Sequence, residues 1–497
     1  MGRLHTGDSG VIAKAETVDI LVASMQYGDA CSQHTFDLCR LLRSQGRAVR
    51  IHSDAPLRPL PEDILDVSKH SFMGDYAPNA DLTILQYPVW FPLAERIRDA
   101  RGTVIFWYHG VTPPELWGTS TEHEVLRRGQ AGTELAWYAH LAVACSPFTM
   151  RELHIQSSYP LERIRVVPLG IATSSFQRVP DQRILDRLLQ GWHLEGKRIL
   201  LYVGRVAGNK RIDLIIDALP SLADRHPDLH LLVVGDTQAL AAYRELAAQL
   251  RERAERLGLG SRVTFTGRVE AIEPYYHIAE AYILASQHEG FGAPLVEAMA
   301  AGVPVLASAS GAMPWVLDAE IPGTEAAGLT FAPGKAEDLA RQLSGLLEDP
   351  DLRQRMIERG YRRAAHFSVE RFNARAAEVI AEAEMLACQG PPPDSGHVRS
   401  PLFAQADVAL RHYRVRSGVP LLGRLIEWVR TNSTIHVKEA YLDRIVERQV
   451  LYNHLLADEI QQLHREIAVL KAQLEEDRRS DSQPSDQEPE PPSRARP

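Results

Sequence analysis

The sequence predicts an α/β protein with two doubly wound, Rossmann-like domains that face a cleft, followed by a C-terminal helical extension. Short apolar runs alternate with amphipathic stretches from about residue 18 to about residue 385, and the pattern restarts after a polar stretch near 172–195. Wholly apolar strands separated by helices are typical of parallel sheets covered on both faces. Two such series indicate two sheets, and 497 residues exceed one ordinary domain.

The apolar runs give the predicted strands of each domain. The first domain (18–172) has VDILVAS, DLTILQY, TVIFWYHG and IRVVPLG, with a helix from Ser32 to Ser44. The second domain (173–388) has RILLYVG, HLLVVGD, RVTFTG, AYILAS and VPVLAS, and its last helix is free to cross back to the first domain. The carboxyl ends of such strands are where open α/β sheets bind ligands.

The ends of the chain are predicted to lie outside these domains. Residues 1–17 are polar and are expected to be flexible, and no apolar run reaches the roughly 20 residues of a membrane span. We therefore expect a cytoplasmic protein. Residues 389–410 contain GPPPDSG and form a linker, and the polar, proline-rich residues 478–497 are predicted to be disordered.

Residues 411–477 form the predicted helical extension. Between about 446 and 474, one register of alternating steps of three and four carries Val446, Leu456, Ile460, Leu463, Ile467, Leu470 and Leu474. Gln449 and Asn453 occupy the two positions of this register between Val446 and Leu456. This spacing favours a short parallel coiled coil that would join a homodimer or higher oligomer, or else an amphipathic helix packed on its own protein. Residues 411–430 hold five arginines and one glutamate beside an apolar cluster, so they either contact the inner face of a membrane or dock on protein.

Charge and cysteine content exclude some classes of function. The net charge of -9 argues against a nucleic-acid partner, because a phosphate-binding surface is usually basic. The four cysteines are scattered without a metal or disulfide spacing, which indicates thiols in a reducing compartment.

The segment HEGFGAPLVEAMAAGVP (288–304) is the most specific motif. It follows the apolar run AYILAS, and Gly290 and Gly292 let its backbone pass close to a ligand. Amides at the start of the next helix can receive a phosphate. Glu289 and Glu297 flank the glycines, and ionised carboxylates accept hydrogen bonds from the hydroxyls of a sugar or ribose. The alternative is that both glutamates only favour the helix dipole.

A second motif is LYVGRVAGNKR (201–211), in which a strand ends at Gly204 and a loop carries Arg205 and Lys210. Two cations there can hold a diphosphate and neutralise it as it leaves, unless both are simply solvated. In the first domain, His109 follows a strand and can reach the cleft from the opposite side, or it is a structural histidine. Gly28 marks a strand-to-helix turn, which is a weak signal by itself.

Together these motifs resemble glycosyltransferase family 4, the retaining transferases of the GT-B fold, over roughly residues 18–385. The most specific part is the family's E-x7-E element, here Glu289-GFGAPLV-Glu297. The contexts VVPLGI, VTFTGRV and AGVPVLAS also look like family members and occur in the same order.

The resemblance implies a role for each matching residue. Glu289 would bind the donor sugar and Glu297 the ribose, while Arg205 and Lys210 would grip the diphosphate. His109 would reach the transferred sugar. The remaining donor-binding positions implied are Gly28, Gly204, Arg268, Val269, Gly290, Phe291 and Gly292. Where many family members carry a second glycine, this chain has Asp29. This difference puts in doubt whether a donor phosphate or an acceptor approaches closely at that turn, and Asp29 would contact a hydroxyl instead.

The resemblance also implies retaining transfer without a metal or other cofactor. The only Asp-x-Asp, Asp349-Pro350-Asp351, does not follow a strand and is interpreted as a surface turn. The donor would be a UDP- or GDP-linked sugar and the acceptor a glycan or lipid-linked molecule in polysaccharide or glycoconjugate biosynthesis. The alternatives are a nucleotide-sugar epimerase of the same fold, a glycoside hydrolase, and a non-catalytic assembly protein that binds nucleotide sugars.

Overall fold

A computed structural model describes residues 15–393, apart from residues 27, 73–75, 118–119, 239–240 and 321–324. The described residues belong to one compact unit. The predicted coiled coil (446–474), the basic segment (411–430), the tail, most of the linker and most of residues 1–17 lie outside the described residues.

The first domain is built on a seven-stranded parallel sheet with the order β3-β2-β1-β4-β5-β6-β7. Its strands are β1 (Thr17–Val22), β2 (Ala48–Ser53), β3 (Ser68–His70), β4 (Leu82–Tyr87), β5 (Thr103–Tyr108), β6 (Leu141–Ala144) and β7 (Ile164–Val166). The helices between them are α1 (Ala30–Ser44), α2 (Glu62–Leu65), α3 (Ser120–Ala131) and α4 (Pro147–Ser157). Neighbouring residues of β1 enter different cores, since Ile20 and Leu21 belong to separate clusters. The sheet is therefore buried on both faces, as its apolar strands predict.

The second domain contains a six-stranded parallel sheet with the order β10-β9-β8-β11-β12-β13. Its strands are β8 (Arg198–Val203), β9 (Leu229–Val234), β10 (Val263–Gly267), β11 (Ala281–Leu284), β12 (Val305–Ser308) and β13 (Leu329–Phe331). Its helices are α5 (Thr173–Gln177), α6 (Gln182–Gly191), α7 (Ile212–Ala218), α8 (Ala241–Arg256), α9 (Glu273–His277), α10 (Ala293–Ala300), α11 (Met313–Val316), α12 (Ala336–Glu348) and α13 (Pro350–Ala364).

Strand order reverses direction between β1 and β4 in the first sheet and between β8 and β11 in the second. Loops on either side of such a reversal separate at the carboxyl edge and leave room for a ligand. The two motifs of the second domain follow β8 and β11, so they flank this point of the second sheet.

The last described helix, α14 (Val369–Gln389), packs on the first sheet although it follows the second domain in the chain. Phe372, Ala376 and Ile380 lie in one buried cluster with β1 and β5. Glu384 of α14 forms a buried ion pair with Arg47 of the first domain, with an Nη1–Oε1 distance of 2.5 Å. Helix α14 therefore links the two domains, because it continues from the second domain and packs against the first.

Four strands were not predicted from the sequence: β2, β3, β6 and β13. β2 reads AVRIHS and contains Arg50 and His52, so it is not apolar throughout. Both polar side chains contact Asp19, which is fully buried on β1, and Arg50 does so at 2.7 Å. Pairing of β1 with β2 thus supplies partners for the buried Asp19 carboxylate, which local sequence does not reveal.

Candidate functional site

The loop between β11 and α10 carries the first glutamate. The Glu289 carboxylate accepts hydrogen bonds from Lys210 Nζ at 2.5 Å and from Ser286 Oγ at 2.7 Å. The Lys210 and Glu289 side chains are only 12% and 13% exposed. Burial alone would raise the pKa of Glu289, but the Lys210 ammonium and the hydrogen bonds hold the pKa below its ordinary value. Glu289 is thus an ionised acceptor at neutral pH.

The second glutamate has different surroundings. Glu297 lies on α10 and accepts a hydrogen bond from Tyr276 Oη at 2.6 Å. Burial raises the pKa of Glu297 to about 7, and the negative charge of Glu273 acts in the same direction, while the Tyr276 hydrogen bond opposes it. The two glutamates of the motif therefore differ in charge state near neutral pH.

The loop after β8 contacts the loop that carries Glu289 through one backbone hydrogen bond and one side chain. Asn209 is buried, and its carbonyl accepts a hydrogen bond from the Gln287 N–H at 2.9 Å. Lys210 reaches Glu289, as described above. Arg205 is exposed instead, and its guanidinium lies 5.7 Å from the centroid of the Trp117 ring of the first domain. The two cations predicted to act together thus have separate partners.

The predicted donor-binding positions Arg268 and Val269 lie near this loop. Arg268 and Val269 directly follow β10, where Arg268 is exposed and Val269 is half-buried. Gly267 has a φ of 74°, and its carbonyl accepts a hydrogen bond from the Gly235 N–H at 3.2 Å. A Cβ on Gly235 would lie 1.8 Å from the carbonyl oxygen of Gly204, so these backbones approach too closely for a side chain.

His109 follows β5 at the carboxyl edge of the first sheet. Its Nε2 lies 2.6 Å from Gln86 Oε1, and burial lowers the pKa of His109 to about 4. A neutral imidazole that donates its Nε2 proton to the Gln86 carbonyl keeps Nδ1 as an acceptor. A Cβ on Gly290 would lie 2.3 Å from the carbonyl oxygen of His109. The structure thus places the His109 backbone against the loop that carries Glu289, while its side chain contacts Gln86.

Gly28 and Asp29 form the turn between β1 and α1. Gly28 has a φ of 82° and is exposed. The Asp29 carboxylate accepts hydrogen bonds from the backbone N–H of Ser32 at 2.9 Å and from its hydroxyl at 3.0 Å. Asp29 is therefore the N-cap of α1, and capping supplies a structural reason for an aspartate at this position.

Three side chains that sequence reasoning missed complete the contact between domains. His288 Nε2 lies 2.8 Å from Glu152 Oε1, and Ser146 Oγ donates a hydrogen bond to the carbonyl of Gly290 at 2.7 Å. His288 precedes Glu289 and was visible in the motif, but Glu152 and Ser146 lie on or beside α4, where no motif marks them. Only their proximity in space identifies them.

Asp349 and Pro350, the start of the Asp-x-Asp sequence, lie at the junction of α12 and α13. The Asp349 carboxylate accepts a hydrogen bond from the Leu352 N–H at 2.8 Å and caps α13. Among the described residues, no group of three or more His, Cys, Asp or Glu side chains is placed to hold a metal ion. In the same part of the chain, no helix has the length and apolarity of a transmembrane span.

Comparison with known proteins finds a family model that matches part of the second domain. Residues 190–363 match the model of the family "Glycosyl transferases group 1". The second domain is thus similar to this family over residues 190–363. It contains both glutamates and both cations of the site.

Relatives of known activity align with this chain over only part of their own length. Mannosylfructose-phosphate synthase from Agrobacterium fabrum is 32% identical over 176 residues, or 35% of this chain and 38% of that protein. The lipopolysaccharide core biosynthesis mannosyltransferase LpsB from Rhizobium meliloti is 29% identical over 222 residues, or 44% of this chain and 61% of that protein. The chain thus spans less than two thirds of either relative.

Similarity in structure extends beyond the residues that match this family model. The crystal structure of HepE from Anabaena in complex with UDP and glucose superposes with a TM-score of 0.57 at 20% identity. The match covers 74% of this chain and 100% of that chain. At this identity the likeness shows the fold alone, and the predicted pair of Rossmann-like domains of the GT-B type is confirmed.

Proposed function

We propose that this protein is a retaining glycosyltransferase of family 4 that transfers a sugar from a nucleoside-diphosphate sugar to a glycan, lipid-linked or other acceptor. The observation that carries the proposal is the buried Lys210–Glu289 pair, held at the carboxyl edge of the second sheet beside His109 of the first. A cation for phosphate and an ionised acceptor for sugar hydroxyls lie side by side there, which is what a nucleotide sugar requires.

The relatives support this choice of substrates. HepE binds UDP, and LpsB is a mannosyltransferase of lipopolysaccharide core biosynthesis. We extend to this chain a UDP- or GDP-linked donor and a role in polysaccharide or glycoconjugate biosynthesis. No further cofactor enters the proposal.

In the proposed reaction the bond between the anomeric carbon and the diphosphate oxygen breaks, and a bond to the acceptor oxygen forms on the same face of the sugar. The leaving phosphate takes the proton of the acceptor hydroxyl. Lys210 and Arg205 stabilise the negative charge that develops on the diphosphate, without a metal. Glu289 orients the sugar hydroxyls, Glu297 binds the ribose, and neutral His109 contacts the transferred sugar.

A screen of nucleotide sugars for thermal stabilisation, followed by turnover with candidate acceptors, tests the proposal. The expected product keeps the anomeric configuration of the donor, and turnover persists in EDTA. Inversion at the anomeric carbon would refute the retaining mechanism. Conversion of a nucleotide sugar without an acceptor would indicate an epimerase, and binding of UDP or GDP without turnover would indicate an assembly protein.

The segments outside the described residues carry two further proposals. We place a coiled coil at about 446–474 that joins a homodimer or higher oligomer, and a peripheral membrane contact at 411–430 on the cytoplasmic side. Sedimentation of the full chain with anionic vesicles, compared with a chain that ends at residue 393, tests the contact. Equal sedimentation of both would refute it. The mass of the two proteins in solution tests the coiled coil in the same way.

A further inference from the structure

A buried hydrogen-bonded pair of side chains from the two domains lies directly beside the proposed donor site. His288 belongs to the loop after β11 of the second domain, and Glu152 belongs to α4 of the first. Their side chains are 7% and 10% exposed, and His288 Nε2 lies 2.8 Å from Glu152 Oε1. Loss of one partner of a surface pair costs little, whereas loss of one partner here would leave the other polar group buried without its hydrogen bond.

The first domain holds Glu152 in place and also contacts the ring of His288. Tyr108 Oη donates a hydrogen bond to Glu152 Oε2 at 2.9 Å, and the Val111 N–H donates to Tyr108 Oη at 3.1 Å. The ring of Phe148 packs edge-on against His288, with 5.4 Å between centroids. The Glu152 carboxylate therefore uses both oxygens and has one preferred orientation, which points it at His288.

The neighbouring backbones are also in contact. Ser146 Oγ donates to the Gly290 carbonyl at 2.7 Å, and a Cβ built on Gly110 would lie 3.4 Å from Gly290 Cα. Glu289 is the residue between His288 and Gly290, so a contact of the first domain lies on each side of it. The position of the Glu289 carboxylate thus depends on the first domain as well as on Lys210.

We infer that Glu152 and His288 form a cross-domain latch that positions the loop 288–292, and with it Glu289, against His109. Glu152 is a positioning residue, since it acts through His288 and touches no reacting atom. The catalytic part of this inference rests on the proposed glycosyl transfer, while the structural part does not. Opening of the latch would let the loop move away from the first domain but would leave the cations of the second domain in place.

Glu152→Gln, His288→Gln and the double variant form a cycle that tests the latch through kinetics. Because a displacement of about 1 Å can cost up to a hundredfold in rate, we expect each single variant to lower kcat/KM by roughly ten- to a hundredfold. The double variant should be no slower than the worse single variant, since both changes remove one interaction. Effects that multiply, or an unchanged kcat/KM, would overturn the inference.

Affinity for UDP or GDP alone separates positioning from a loss of folding. The groups proposed to hold the nucleotide lie in the second domain, so Kd should change by less than about twofold in all three variants. Glu152→Asp keeps the carboxylate and should recover part of the lost kcat/KM. A Kd that weakens as much as kcat/KM falls would overturn the positioning role.

Hydrogen exchange of the backbone tests the latch without any turnover. In Glu152→Gln, amides at 286–292 and 146–152 should exchange faster, at an unchanged melting temperature of the second domain core. Glu348→Gln is the matched control, because Glu348 pairs with His226 at 3.4 Å within the second domain. Unchanged exchange in Glu152→Gln overturns the latch. Faster exchange in a protein that shows no transfer supports the latch and refutes only the proposed function.

Discussion

The Lys210 ammonium lies 2.5 Å from the Glu289 carboxylate, so a residue predicted to bind diphosphate and one predicted to bind sugar are paired with each other. Lys210 therefore helps to keep Glu289 ionised. Burial would raise the pKa of Glu289, and Lys210 is the main group that opposes it. A donor that binds both residues would meet a site whose charges are already in place, which reduces reorganisation during transfer.

Removal of the ammonium should expose this dependence. In Lys210→Met we expect kcat/KM to fall at least tenfold, about the scale of one lost charge-stabilising donor, because the diphosphate loses its cation and Glu289 loses the partner that keeps it ionised. Turnover measured with a saturating acceptor checks this. Lys210→Arg keeps the charge and should lose less. Equal turnover in wild type and Lys210→Met would contradict the assignment.

The pKa of Glu297 predicts how nucleotide binding depends on pH. With its pKa at about 7, the carboxyl is mostly protonated at pH 6 and mostly ionised at pH 8. Ionised Glu297 is the better acceptor for two ribose hydroxyls, so affinity for UDP or GDP should rise between pH 6 and pH 8. Titration calorimetry at both pH values checks this. In Glu297→Gln the difference should disappear; a variant that keeps the full pH dependence would exclude Glu297 as its source.

The same carboxyl should affect stability with the opposite sign. Its pKa is raised in the folded protein above the ordinary value of 4.5, so its contribution is fully present below pH 4.5 and is lost as the pH rises through about 7. Wild type should therefore lose up to about 1.4 kcal/mol per pH unit relative to Glu297→Gln within this window. Denaturant unfolding of both proteins at pH 5.5 and pH 8 gives the difference. If the free energies of unfolding of the two proteins changed equally between the two pH values, the pKa of Glu297 would not be raised by folding.

Gly290 is predicted to tolerate no side chain because of the opposite domain. A Cβ at this position would lie 2.3 Å from the carbonyl oxygen of His109, which cannot move independently of β5. In Gly290→Ala we expect the two domains to separate and kcat/KM to fall at least tenfold, with an unchanged secondary structure. Gly345→Ala is the control, since a Cβ there meets no atom within 4 Å. Wild-type kinetics in Gly290→Ala would mean that the domains do not close in this way during catalysis.

The buried pair between Arg47 and Glu384 should contribute strongly to stability. The two side chains are 5% and 8% exposed, so Glu384→Ala leaves an uncompensated charge in the core and should cost about 3–5 kcal/mol. Glu382→Ala, on the same helix, breaks a pair with Arg165 whose partners are 30% and 29% exposed, and should cost about 1 kcal/mol or less. Free energies of unfolding compare the two variants. Similar losses in both would show that burial is not the cause.

The strands that carry the site are those that the sequence predicts best. β11 is apolar throughout and β8 is apolar after Arg198, because parallel strands in the middle of a sheet are covered on both faces. The site residues follow these strands in the chain. β2 was missed because Arg50 and His52 interrupt its apolar pattern, and only the pairing with β1 brings them to buried Asp19. The apolar pattern of a strand indicates whether that strand is buried. Whether a polar side chain on it has a buried partner depends on the residues of the neighbouring strand.

The sequence by itself determined the α/β class, the two series of strands, and the placing of Arg205, Lys210, Glu289 and Glu297 beside strand ends, since these follow from local apolar patterns and turn residues. Tertiary structure alone decided which groups pair. Lys210 and Glu289 are 79 residues apart, and Glu152 and His288 are 136 residues apart. Contacts over such separations arise from the order of strands in two sheets and from α14, which packs on the first, so no local pattern encodes them.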